Sequence, residues 1–220
     1  DDTKRGGGGT SQRNKSGHER NRRSMSAREF SAAAPSARSR TADTARATVF
    51  DVLRSVAESD AYANLVLPKA IRSHRLDHRD AGFATELTYG TLRHQGTYDA
   101  ILSRCVDRPI EKVGTTTLIV LRMGVHQLLN MRVPAHAALN QSVSLAREKI
   151  GAGPASFINA VLRRVSERTP EEWYELIIED AKDDTERMAL LASHPGWIVR
   201  SMRQALVAHG RPASEIELLL

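Results

Sequence analysis

The chain has 220 residues, room for one ordinary domain with appendages, and carries 32 Lys+Arg against 26 Asp+Glu, a formal net charge of +6. No stretch stays apolar for the ~18 residues that a helical membrane span needs, and no secretory apolar segment appears. The single cysteine, Cys105, excludes an internal disulfide and a cysteine-based zinc site and suits a reducing cytosol, so a cytoplasmic protein is expected.

Charge is unevenly placed. Residues 1–46 hold 11 basic and 5 acidic groups, residues 47–166 hold 15 and 10, and residues 167–186 hold 2 and 9. A basic arm therefore leads into a mildly basic domain and then an acidic segment, a separation that points to a polyanionic partner, most simply nucleic acid. The chain starts at Asp1 and ends in Leu218-Leu219-Leu220. An apolar end of that kind costs solubility when exposed, so the sequence reads as the N-terminal piece of a longer protein.

Residues 1–35, with Gly6 to Gly9 and almost no aliphatic side chains, cannot bury enough apolar surface to offset chain entropy and are expected to be disordered. From about residue 44 the apolar spacing is helical. Val49, Phe50, Leu53, Val56 and Ala57 make one face of a first helix, and a second helix is expected over 61–73. Asp77 is placed to cap a third, whose inner face is Phe83, Ala84, Leu87 and Gly90. A short helix over 97–106 ends before Arg108-Pro109.

Residues 118–131, LIVLRMGVHQLLNM, are apolar almost all round, which predicts the central buried helix. Pro134 opens the next, with Leu139, Val143, Ala146 and Ile150 inward. The turn at 151–154 leads to FINAVLRRV, with Phe157, Ile158, Val161, Leu162 and Val165 on one side. Thr169, Pro170 and Glu172 have the pattern of a capping box, and Ser193-His194-Pro195 starts a helix to about 208. No run alternates with period two. The expectation is an all-α bundle: a basic arm over 1–43, a helical domain over 44–168 and a helical connector over 169–220.

Few residues suggest catalysis. GAGPAS at 151–156 lacks a third glycine and follows a helix rather than a strand, which is a poor dinucleotide loop. Cys105 sits in an apolar helical pattern, as a buried small hydrophobe would. His74 and His78 have metal-ligand spacing, but Arg75 and Arg79 stand beside them and Asp77 is wanted as a cap. Neither Glu86 nor Arg122 would be buried unpaired, and a Glu86–Arg122 ion pair is expected; Asn140 and Asn159 are expected to bond between helices. Arg38, Arg40 and Arg46 run into the first helix, and Arg163 and Arg164 stand at the end of FINAVLRRV. They read either as phosphate ligands or as a solvated tail with ordinary helix-dipole complementarity. Tyr62, Tyr89 and Tyr98 are the candidates for stacking on bases, each equally suited to a core.

AYANLVLPKAI, DHRDAGFATELTYGTLRHQGTYDAIL, LRMGVHQLLNMRVPAHAALNQSVSLAR and FINAVLRRV, in that order and spacing, resemble the NusB-like domain at the N-terminus of bacterial 16S ribosomal RNA cytosine-C5 methyltransferases of the RsmB (Sun/Fmu) type. ASHPGWIV at 192–199 resembles the connector of those enzymes. The resemblance implies an RNA-binding helical bundle whose partners are ribosomal RNA and the parent's own C-terminal methyltransferase domain. That domain would use S-adenosylmethionine and two cysteines, with Cys105 as neither of them. It implies Arg38, Arg40 and Arg46 as RNA contacts, although Asp43 intrudes among them, with Arg79, Arg93, Arg163 and Arg164 as further candidates. No catalytic, cofactor or metal residue is assigned within these 220 positions. The alternatives are a NusB-class transcription antitermination factor, which is not an enzyme, and a helical scaffold with a solubilising arm. The acidic segment 167–186 reads as a solvated helix, or as a surface that turns RNA away or docks on the parent's next domain.

Overall fold

The computed structural model describes residues 43–179 and 181–220, and their regular structure is entirely helical, as the apolar periodicity predicts. The elements are α1 (Thr44–Ser59), α2 (Ala63–Ser73), α3 (His78–Arg93), α4 (Gln95–Cys105), α5 (Thr115–Leu129), α6 (Ala135–Lys149), α7 (Ala152–Val165), α8 (Pro170–Ile178), α9 (Asp184–Leu191) and α10 (Gly196–Ala208), with short 3₁₀ turns at Ile110–Lys112 and Ala213–Leu218. The caps explain several boundaries. Asp77 accepts from the Asp80 amide at 2.8 Å to start α3. Thr169 and Glu172 close the expected capping box, each side chain bonded to the other's backbone amide, at 2.7 and 3.3 Å.

Helix α5 is the axis of the bundle, touched by α1, α3, α4, α6 and α7. From Ile119 to Gln127 only Arg122 escapes full burial, so this helix has no solvent face. Around it pack Val49, Phe50 and Leu53 of α1, Ile101 and Leu102 of α4, and Ile158 and Leu162 of α7. Each such side chain contributes about 1.5–3 kcal/mol relative to exposure. The buried arc of α1 is wider than its stripe predicts. Val52 is buried because α2, α3 and α5 hold this helix from different sides, while Val56 is only half-buried and Ala57 is exposed. Trp173 of α8 also belongs to this core, donating its indole N–H to the Val165 carbonyl at 2.9 Å.

The polar groups of α5 find partners on other helices. Arg122 forms a two-pronged pair with Asp99 of α4, both bonds 2.7 Å. The expected Glu86–Arg122 pair is therefore not made. Glu86 points outward on α3, and a guanidinium fork is better matched by the half-buried carboxylate one helix over. Asn140 is exposed on α6 rather than bonded between helices, and Asn159 is half-buried.

His126 is 1 % exposed and its Nδ1 lies 2.6 Å from the Tyr98 hydroxyl, which is itself 3.1 Å from the Asn130 side-chain amide. Its Nε2 stands 3.5 Å from Glu86 Oε1. Burial pushes the His126 imidazole down to about 4, against the opposing pull of Glu86 and with help from His94 and Arg93. Burial likewise lowers His94 and raises the Tyr98 phenol. Gly90 makes room for this arrangement: a Cβ there would stand 2.1 Å from Nε2 of His126.

A smaller core of Met188, Val199 and Ile216 holds α9, α10 and the last 3₁₀ turn together. Four carboxylates of the acidic segment bond within the fold, Glu172 in the capping box above and three at its end. Asp183 caps α9 by accepting from the Glu186 amide at 2.8 Å, Glu186 accepts from the Lys182 amide at 2.8 Å, and Asp184 pairs with Arg187 and Arg203. Those two arginines hold the Asp184 carboxyl below its ordinary value.

Two outcomes follow from the His126 site. Gly90→Ala forces the imidazole out of its bonds and is expected to cost about 1–3 kcal/mol in urea denaturation. Because His126 stays neutral in the fold while an unfolded histidine takes up a proton below about pH 6.5, stability is full above that value and falls as the pH drops toward 4. The loss is on the order of 2 kcal/mol at pH 5. Melting of the His126→Gln variant should show a shallower pH dependence between 7 and 5.

Candidate nucleic-acid interface

At one end of the bundle, the start of α1, the start of α3 and the connection from α5 to α6 enclose a cleft of about 470 Å³. Arg46, Arg79 and Arg132 line it, with Phe83 as its apolar wall and Asp43 and Asp80 at its edge. Helix capping sets the positions: Asp43 and Asp77 start α1 and α3, which puts Arg46 and Arg79 in their first turns. Arg132 comes from the five-residue connection before α6, 86 positions after Arg46, and no spacing in the sequence joins the two.

The three arginines are not equivalent. The Arg46 side chain is 10 % exposed. It donates from Nε to Gln127 Oε1 at 2.6 Å, pairs with Asp43, and lies 4.6 Å from the centre of the Phe83 ring. Its donors are largely committed to fastening α1 onto α5, so it forms the floor of the cleft. Arg79 and Arg132 are exposed and have no ion-pair partner among the described residues. They can exchange water for phosphate oxygens with little disturbance of the fold.

The other predicted site residues are dispersed. Arg38 and Arg40 lie outside the described residues. Arg93 is exposed at the end of α3, and Arg163 is exposed near the end of α7. Arg164 donates to the Cys105 carbonyl at 2.8 Å and approaches Asp107 at 3.4 Å, tying the end of α7 to the end of α4. None of these three lines the cleft. Lys69, Arg72 and Arg75, which are not among the contacts the resemblance implies, are exposed along α2 and the turn that leads to Arg79. Their signal was present as a local run, four cations at 69–79 against one carboxylate, Asp77. Of the tyrosines, Tyr98 is core, Tyr89 is half-buried and Tyr62 is 73 % exposed.

Burial pushes the Cys105 thiol up to about 11, leaving it protonated and unsuited to nucleophilic attack. Among the described residues no three His, Cys, Asp or Glu side chains converge to hold a metal, and no helix is long and apolar enough to cross a membrane.

An all-α bundle with an arginine-lined cleft at one end is the class of protein these features define. The chain belongs to the NusB family, whose profile matches residues 43–167. A Mycobacterium tuberculosis protein named "Putative methyltransferase" is 39% identical over 184 residues, 83% of this chain and 40% of its own length. Proteins named as ribosomal RNA small subunit methyltransferase B align as well. That of Pseudomonas putida is 29% identical over 69% of this chain and 32% of its own length. One from Bacillus subtilis, with "Probable" before the same name, is 31% identical over 73% and 35%. The chain spans about a third to two-fifths of the length of these relatives. A chain in the crystal structure of a plectonemic RNA supercoil shares the fold, with a TM-score of 0.53 at 19% identity over 63% of this chain and 96% of its own.

The division of labour in the cleft is measurable. Arg46→Ala strands Gln127 and Asp43 and is expected to cost about 2–3 kcal/mol in thermal or chemical denaturation. Arg79→Ala and Arg132→Ala should each stay within about 0.5 kcal/mol of the parent.

Proposed function

We propose that this chain is the RNA-binding, substrate-positioning part of a cytoplasmic ribosomal RNA methyltransferase. The observation that carries the reading is the pair of exposed arginines, Arg79 and Arg132, standing without ion-pair partners over a cleft in a bundle whose relatives are named for ribosomal RNA methylation. Phosphates neutralised there hold and orient the RNA without reading its sequence. Holding the target near a catalytic pocket raises its effective concentration at that pocket. Arg38 and Arg40, together with Arg93 and Arg163, extend the set of cations available to the same polyanion, while Arg46 and Arg164 act mainly by shaping the surface that the others present.

The chemistry belongs, on this reading, to the larger part of the protein that the relatives possess and this chain does not span. There an S-adenosylmethionine-dependent domain methylates C5 of a cytosine. The described residues do not fit that cofactor. Gly151 and Gly153 open α7 from a helix-to-helix turn, with φ +131° at Gly151, and no strand precedes them to build an adenosine cradle.

A NusB-class antitermination factor is the non-enzymatic alternative. Against it stands the M. tuberculosis relative, whose alignment spans 83% of this chain and so must run past residue 167, where the family profile stops.

Binding to single-stranded RNA measured against salt tests the proposal. Neutralising about four phosphates gives a log–log slope of roughly −3, and the Arg79→Ala/Arg132→Ala double variant should make it shallower by about 1.4. An absence of salt-dependent RNA binding overturns the reading.

A further inference from the structure

Helix α2 carries an unusual outer face. At about 100° per residue, Tyr62, Leu65, Lys69 and Arg72 fall within roughly 80° of one another. The buried Leu67 lies diametrically opposite, where the helix rests on α1 and α3. All four outer residues are exposed, Tyr62 at 73 % and Leu65 at 58 %. The helix has no acidic residue of its own. It ends four residues before α3, whose first turn carries Arg79 at the cleft, and Arg75 stands exposed in the connection with a positive φ of 51°. The carboxylates near this path are Glu58 and Asp60 just before it, and Asp77 and Asp80 at the start of α3, where Asp77 is engaged as the cap. Cations therefore gather toward the cleft end of the stripe and the aromatic ring stands at the far end.

We propose that this face of α2 is a track for single-stranded RNA leading away from the cleft, with Tyr62 as a platform on which one base stacks and Lys69, Arg72 and Arg75 as phosphate contacts. The inference rests on the RNA-binding reading given above and adds to it the form of the ligand and the residue that meets a base. Charge selects the occupant. A polyanion satisfies Lys69, Arg72 and Arg75 together, and a strand with unpaired bases can lay its phosphates on that cationic end while one base reaches the exposed ring at the other. A duplex keeps its bases stacked inside and offers Tyr62 nothing to stack on.

The test uses the 220-residue chain with labelled oligouridylate and, separately, a blunt RNA duplex, each titrated at several salt concentrations. Tyr62→Ala is expected to weaken oligouridylate binding about tenfold without changing the salt slope, while Tyr62→Phe binds as the parent does. Lys69→Ala/Arg72→Ala is expected to make the slope shallower by about 1.4, and duplex binding should not respond to the change at Tyr62. The substituted side chains are exposed, and a circular-dichroism melt checks that each variant folds. Parent-like oligouridylate binding by both α2 variants, with loss in Arg79→Ala/Arg132→Ala, overturns the track and leaves the RNA-binding reading standing. Parent-like binding by Tyr62→Leu also overturns it, because no base then stacks on an aromatic ring there. No binding by the unsubstituted chain sinks both.

Discussion

Everything in this bundle depends on how α5 is wrapped. A helix with apolar side chains on every side has to be surrounded, and its few polar groups then have no water to turn to. Arg122, His126 and Gln127 are answered by Asp99 and Tyr98 of α4 and by Arg46 of α1. These bonds fix the rotation of the neighbours about α5, which nonpolar contacts alone leave loosely specified. The same demand reaches α3, where Gly90 is small so that the His126 ring can lie against the backbone.

That constraint also sorts the arginines. Arg46 looks in the sequence like the last member of a basic arm, but its position one turn into α1 brings it over Phe83 and within reach of Gln127. Arg164 is drawn into a similar service by the free carbonyl at the end of α4. Arg79 and Arg132 at the cleft, and Lys69 and Arg72 on the outer side of α2, are exposed instead and take no part in those bonds.

The helices were legible because burial here follows the 3.6-residue period closely: the caps at Asp77 and Thr169 and the all-apolar α5 stand where the spacing predicts. Helix α9 was not, since eight residues with Met188, Ala189, Leu190 and Leu191 in one run carry no clear period, and its acidic start reads as a solvated segment. Partner choice was legible only where it is local. Thr169 and Glu172 stand three residues apart in one cap, but Arg122 has Glu86 and Asp99 as candidate partners, and only the packing of α4 decides for Asp99. The cleft shows the same limit. Arg46 and Arg79 were singled out separately, while Arg132 gains its meaning from a chain reversal 86 residues downstream of Arg46.

The last three elements are attached differently from the rest. Their own small core of Met188, Val199 and Ile216 is separate, and the link to the main bundle runs through the contact of α9 with α8, Leu190 packing and hydrogen bonds at the head of α4. There the Ser193 hydroxyl accepts from the amides of Gly96 and Thr97, and Thr97 donates to the Leu190 carbonyl. Such a joint lets α9 and α10 open as a cooperative unit at a lower free energy than the α5-centred core, so their amide hydrogens exchange first and the seam at Ser193 becomes the place where the molecule can bend.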